Sequence, residues 1–213
     1  MYKIAFLLDK KNDWIKKYFT KNQFIKNKKF KFIFTYDEKS IKNFDVLFII
    51  NYTKIINQNI LKLNKLNLVI HESDLPKGKG FAPVQWQILN NKSKIPVKLI
   101  EAAQKVDSGD IYGETKFTIK KTYLNDEIRE QQANASIKLI SNFLKKYPKI
   151  KKKKQNGKET FYLKRTKKDS ELNPKKSILE NFNLMRICDN KKYPAFFKYK
   201  NETFYINIYK KKL

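Results

Sequence analysis

Short apolar runs of strand length alternate with helix-spaced stretches through the first third of the chain. Lys3 to Leu8, Lys31 to Tyr36, Val46 to Ile50 and Leu66 to Ile70 are such runs, as expected of strands covered on both faces. Trp14, Ile15, Tyr18 and Phe19, and less regularly Phe24 and Ile25, fall at helical spacing between the first two. Ile55 to Lys65 reads as a short helix that delivers the chain to the fourth run. Strands alternating with helices predict an α/β fold with a doubly wound, mostly parallel sheet. Ligands bind such sheets beyond the carboxyl ends of the strands, where Asp9 to Trp14, Asn51-Tyr52 and His71 would gather.

After Ile70 comes a polar loop containing two glycines, then a helix from Pro83 to Asn90 whose first turn is set by the proline. Val97 to Ala103 reads as a further strand, and a long amphipathic helix spans Leu124 to Tyr147, stopped at Tyr147-Pro148. Residues 1–148 are thus expected to form one core. Residues 149–213 form an extension: a solvated lysine linker from Lys149 to Lys154, a helix from Ser177 to Arg186, and an aromatic hairpin from Phe196 to Ile208 around Lys200-Asn201-Glu202. That hairpin is a candidate surface for a homodimer.

Composition changes the picture in two ways. With 213 residues, 41% of them hydrophobic, the chain has material for one full core and a small appendage. Its formal charge of +28 invites a nucleic-acid partner, yet only Arg129, Arg165 and Arg186 of its 48 basic residues are arginine. Lysine together with abundant Asn, Ile, Phe and Tyr is what AT-rich codons encode, and a surface selected for phosphate would use arginine forks, so nucleic acid is not the expected partner. The single cysteine, Cys188, excludes an internal disulfide and reads as a small core residue beside Leu184, Met185 and Ile187. The apolar start is too short for a signal peptide and no run reaches membrane length, so a cytoplasmic location without membrane contact is expected.

His71 is the only histidine, hence the only side chain whose unperturbed pKa lies near neutrality. Around it stand Ser73-Asp74-Leu75-Pro76, the glycine-containing Lys77 to Gly80, and Ala82-Pro83-Val84-Gln85-Trp86, with Asp107-Ser108-Gly109-Asp110 downstream. In this order and spacing the pieces resemble the N10-formyltetrahydrofolate-dependent formyltransferases, above all methionyl-tRNA formyltransferases and sugar N-formyltransferases. Further on, Asn183-Leu184-Met185-Arg186 and Tyr193-Pro194-Ala195 are similar to the segments that follow that family's catalytic core.

The resemblance implies a formyltransferase fold of Rossmann-like type, N10-formyltetrahydrofolate as formyl donor, and no metal. It implies His71 and Asp107 as the catalytic pair: a neutral amine attacks the formyl carbon, charge develops on oxygen and nitrogen, and a proton must leave. A carboxylate beside an imidazole holds its tautomer and stabilises the imidazolium. Tyr52, Pro76, Gly78, Gly80 and Asp110 are the expected donor-binding residues, Asp110 chiefly by steadying its loop. Asp9, Lys10, Asn12, Trp14 and Lys77 are expected to meet the amine-bearing substrate, although Asp9 to Trp14 also fits an ordinary strand-to-helix loop. One position departs from the family. Where it carries an Asn two residues before the histidine, this chain has Val69; Asn67 points to the same face roughly 7 Å further back, and backbone N–H groups of Lys77 to Gly80 are another source of donors. Only five residues follow Ile208, where methionyl-tRNA formyltransferases continue into a further barrel, so a nucleotide-linked amino sugar is the expected substrate. Transfer to tRNA or glycinamide ribonucleotide, formyltetrahydrofolate hydrolysis, and an inactive lysine-rich RNA-binding relative stay open.

Overall fold

The computed structural model describes residues 1–211. Along the chain run β1 (Tyr2–Leu8), α1 (Lys16–Thr20), β2 (Phe30–Thr35), β3 (Val46–Ile50), α2 (Gln58–Leu61) and β4 (Asn67–His71). Then come β5 (Lys79–Gly80), α3 (Pro83–Leu89), β6 (Lys94–Glu101), β7 (Ile111–Thr118) and α4 (Asn125–Lys146). The last part holds β8 (Phe161–Tyr162), α5 (Ile178–Ile187), β9 (Ala195–Tyr199) and β10 (Glu202–Ile206).

Six strands form the central sheet in the order β2-β1-β3-β4-β6-β7. The first four are mutually parallel, while β4 pairs antiparallel with β6 and β6 with β7. The sheet is therefore mostly parallel, as expected, with β7 as an added edge strand. Every residue of β3 is buried, whereas β7 alternates buried and wetted positions and carries Glu114, Thr115 and Lys116. That polarity suits an edge strand that faces water past its first residue, Ile111, and it hides the strand from a search for apolar runs.

The two faces are covered unequally. One carries α4, which buries Ile128, Leu139, Ile140 and Phe143 in a large cluster with Phe6, Phe48, Val97 and Leu99. Full burial of each such side chain contributes about 1.5–3 kcal/mol. The helix starts where Glu127 accepts from the Leu124 N–H at 2.9 Å and ends on Lys145 and Lys146, both suited to its dipole. The other face holds a smaller cluster of Ala5, Leu7, Ile41, Leu47, Ile49 and Leu61. Its cover is short: the expected helix from Ile55 to Lys65 is only the four residues of α2.

The extension is woven into the core. Lys153 exchanges both backbone hydrogen bonds with Ile111, at 2.7 and 2.9 Å, and Lys152 bridges to Asp110 at 3.0 Å, so the expected linker is pinned although its side chains stay wet. Next, β8 pairs in parallel with β5. On α5, buried Arg186 donates from Nε to Asn183 Oδ1 at 2.8 Å and from Nη1 to the Lys120 carbonyl at 3.1 Å, which stitches the helix to the chain leading into α4. The hairpin β9–β10 turns on Lys200 and Asn201 with φ of 45° and 65°, the two positive values of a type I′ turn.

The loop from β6 to β7 folds back on the strand it leaves. A Cβ added at Gly109 would lie 1.9 Å from the Glu101 carbonyl oxygen, and backbone cannot step aside. Gly109→Ala is expected to cost about 3 kcal/mol or more, read as a fall in the urea midpoint at unchanged slope. An unchanged midpoint would show that the loop packs differently.

Candidate active site

β4 ends at His71, a residue 5% exposed, with its backbone paired to Lys98 of β6. The ring is held from both sides. Nε2 lies 2.8 Å from the Gly78 carbonyl oxygen; because that oxygen only accepts, Nε2 carries the proton. Nδ1 faces Asp107 Oδ2 at 3.4 Å. The same Oδ2 accepts the Gly80 N–H at 2.8 Å. Nδ1 is thus the ring nitrogen left to take up or release a proton, and a carboxylate stands beside it to stabilise the charged ring.

Both clamps are fixed by residues far away in sequence. Gly78 donates its N–H to Thr160 Oγ1 at 2.8 Å, and a Cβ on it would come within 2.6 Å of the Tyr162 ring. Asp107 sits at φ 49°, a left-handed conformation that aspartate tolerates better than most residues. Gln155 Nε2 holds that bend by donating to the carbonyls of Asp107 at 2.8 Å and Gly109 at 2.9 Å.

Glu72 lies behind His71, buried, where Gln132 Nε2 donates to its Oε1 at 2.6 Å and Gln87 Nε2 to its backbone carbonyl at 2.7 Å. Burial pushes its carboxyl above the ordinary 4.5, with the facing His71 working the other way. A carboxyl raised on folding stabilises the fold fully below 4.5 and loses that contribution as pH climbs through the raised value. Glu72→Gln keeps the shape and an oxygen for Gln132 while removing the titration. Its stability relative to wild type is therefore expected to increase as pH rises from 4.5 to the raised value, by about 1.4 kcal/mol for each pH unit between the two. Urea unfolding of both proteins across the acid-to-neutral range checks this, and parallel curves would contradict it.

The pair opens into a cleft of about 550 Å³. Asp9, Asn12, Trp14, Tyr52 and Gly80 line it together with His71 and Asp107. Asp9 caps the turn after β1, accepting from the Lys11 N–H at 2.9 Å and from the Thr53 hydroxyl. The Tyr52 hydroxyl donates to Glu38, and burial together with that carboxylate pushes its pKa up. Trp14 packs on the core with the Arg129 guanidinium carbon 5.3 Å from its ring centre.

Lys10, Pro76, Lys77, Gly78 and Asp110 do not line the cleft. Lys11 does, in place of Lys10. Lys77 is exposed, while Lys79 is 1% exposed and paired with Glu159 at 2.6 Å, so no pair of free lysines stands at this loop. Pro76 takes the Thr160 N–H on its carbonyl, Gly78 serves through His71, and Asp110 is bound to Lys152. Asn67 is unable to replace the missing amide at Val69: its Nδ2 donates to the Leu61 carbonyl at 2.8 Å, and it is absent from the cleft wall that contains Val69. In that wall Asn51 stands out, since its Nδ2 is buried with no partner, an arrangement costing about 1–3 kcal/mol.

A second pocket of about 540 Å³ adjoins the cleft, the two sharing Ala82, Gln85, Arg129, Arg165 and Tyr193. Lys167, Lys192 and Tyr205 complete its basic and aromatic lining. Arg129 is neutralised by Asp189 at 2.7 Å, but Arg165 spends only Nη2 on the Asp169 carbonyl and leaves its buried Nε unpaired. No single stretch of sequence marks this pocket, because its lining is gathered from the start of α3, from α4 and from the region after β8.

The sequence model of the formyl transferase family matches residues 7–144. The chain belongs to that family. Among formyl transferases, methionyl-tRNA formyltransferase of Orientia tsutsugamushi is 33% identical over 133 residues, covering 61% of this chain and 43% of its own length. The chain thus spans less than half of that relative. The solved methionyl-tRNA formyltransferase from Clostridium thermocellum superposes with a TM-score of 0.82 at 22% identity, covering 100% of this chain and 94% of its own. A sugar N-formyltransferase from Shewanella sp. gives 0.74 at 13% identity, covering 100% of this chain and 99% of its own. At these identities the likeness is one of formyl transferase fold.

Proposed function

We propose that this chain transfers the formyl group of N10-formyltetrahydrofolate to the amine of a nucleotide-linked amino sugar. The observation that carries the reading is the His71–Asp107 pair, 3.4 Å apart, standing in a cleft that runs into a basic, aromatic pocket. A cleft of about 550 Å³ has the size of a small-molecule site. Ile49, Tyr52, Ile100 and Val106 give it an apolar wall for a flat ring, and the orphaned Asn51 amide adds a hydrogen-bonding group for a formyl oxygen, so the residues present fit a formyl folate. When bound, the donor supplies an electrophilic formyl carbon.

The chain's own residues supply the rest. Nδ1 of His71 and the Asp107 carboxylate are adjacent bases for the proton that the attacking amine must lose. The Gly78 carbonyl keeps the other ring nitrogen protonated and the ring fixed, so Nδ1 is the one ring atom open to the proton. Gly80 N–H on Oδ2 stops Asp107 from swinging away. In the second pocket the Arg165 guanidinium offers its positive charge to a phosphate, with Tyr193 and Tyr205 beside it for a base.

His71→Ala is expected to lower kcat by about 10²–10⁴ at unchanged donor affinity. Arg165→Ala is expected to raise KM for the nucleotide-linked acceptor about tenfold or more and leave donor KM unchanged. Both are read in a ¹³C-formyl transfer assay with a panel of nucleotide-linked amino sugars. Equal losses for donor and acceptor in the arginine variant would contradict the assignment of the two pockets. The Orientia relative favours a second reading, in which the acceptor is an aminoacyl-tRNA whose terminal phosphates meet Arg165. Including charged initiator tRNA in the panel separates the two, since each reading predicts turnover of its own acceptor alone.

A further inference from the structure

Resting on the formyl-transfer reading, we infer that the side-chain amide of Asn51 supplies the hydrogen bond to the formyl oxygen that Val69 is unable to give. Val69 lines the cleft beside His71 and presents only methyl groups. The neighbouring strand comes level with it: Ile49 of β3 is the register partner of Val69 in β4, and Asn51 follows directly on the end of β3 as His71 ends β4. Adjacent strands lie about 5 Å apart. The amide has thus moved one strand sideways along the same cleft.

Three observations prepare Asn51 for that task. Its Nδ2 is buried without an acceptor while the residue lines the cleft. A half-turn about the last side-chain torsion, which is soft for an amide, exchanges the two ends and puts the N–H donors where the oxygen now stands. Its backbone sits at φ 50°, a left-handed conformation in which asparagine is enriched, and its carbonyl is held by Asn12 Nδ2 at 3.3 Å. Three other donors of this region are committed: Gly80 N–H to Asp107, Gln132 to Glu72, and Asn67 to Leu61.

The test is a calorimetric titration with 10-formyl-5,8-dideazafolate, a stable donor analogue, and with 5,8-dideazafolate, which lacks the formyl group. Wild type is expected to prefer the formylated compound about tenfold, the worth of one hydrogen bond. Asn51→Ala should abolish the preference and leave affinity for the parent compound unchanged, which also reports an intact fold. Asn51→Asp, equally suited to the left-handed backbone but without N–H donors, should do the same. Adding Val69→Asn to Asn51→Ala should restore the preference. A preference that survives in Asn51→Ala, or none in wild type, overturns the inference while leaving the folate site standing. Binding of neither compound by wild type overturns the formyl-transfer reading itself and this inference with it.

Discussion

One imidazole, fixed between a carbonyl and a carboxylate, is the constraint around which this molecule is arranged. His71 leaves β4 with Nε2 committed to Gly78 at 2.8 Å and Nδ1 turned to Asp107 at 3.4 Å. Neither partner is rigid alone, because both stand in loops. Gly78 is held by Thr160 and covered by the Tyr162 ring, and Asp107 is held by Gly80 and by Gln155. All of the residues from beyond α4 in that set come from 155 to 162, so the chain that returns after the long helix is part of the site's support. Preorganisation of this kind lets a proton move without the side chains having to move first.

The electrostatics follow a similar division. Lysines carry nearly all of the +28 charge, whereas the three arginines sit at structural joints. Arg186 is buried at the junction of α5 with the core, Arg129 bridges α4 to Asp189, and Arg165 lies between cleft and pocket. Two lysines break the pattern: Lys98 is buried with its ammonium on the Leu75 carbonyl, and Lys79, buried and tied to Glu159, locks β5 to the returning chain. Breaking such a pair would strand a buried charge, a cost that a surface pair never carries.

How much of this was legible in the chain depends on how local the cause is. β1 and β3 announce themselves because burial on both faces leaves them apolar throughout, and α4 because one face must pack on the sheet. β7 was invisible since an edge strand with one wet face reads as polar, and the helix before β4 was overdrawn because an apolar run does not say where its capping ends. His71, Tyr52, Asp9, Asn12 and Trp14 were found in one cleft because the carboxyl ends of parallel strands converge on one edge, whereas Asp107 follows the antiparallel β6 and reaches them on a loop that folds back. Lys77 and Lys79 looked alike in sequence and proved opposite, exposed and buried, because the difference is made by Glu159, 80 residues on. Asn51 was placed at the ligand edge without a role, and Arg165 was given none, for the same reason: nothing near them in sequence marks an amide or guanidinium as unpaired, and only the folded neighbours reveal it.

Because the chain contains a single histidine, its ring nitrogens give unambiguous signals, and long-range ¹H–¹⁵N correlation spectra across a pH series test the central claim most directly. We expect Nε2 to stay protonated throughout, Nδ1 to be the nitrogen that gains and loses the proton, and Asp107→Asn to move the Nδ1 signal more than that of Nε2. A proton resident on Nδ1 with Nε2 titrating instead would mean that the ring is held the other way round, and the proton-handling role assigned to the pair would fall.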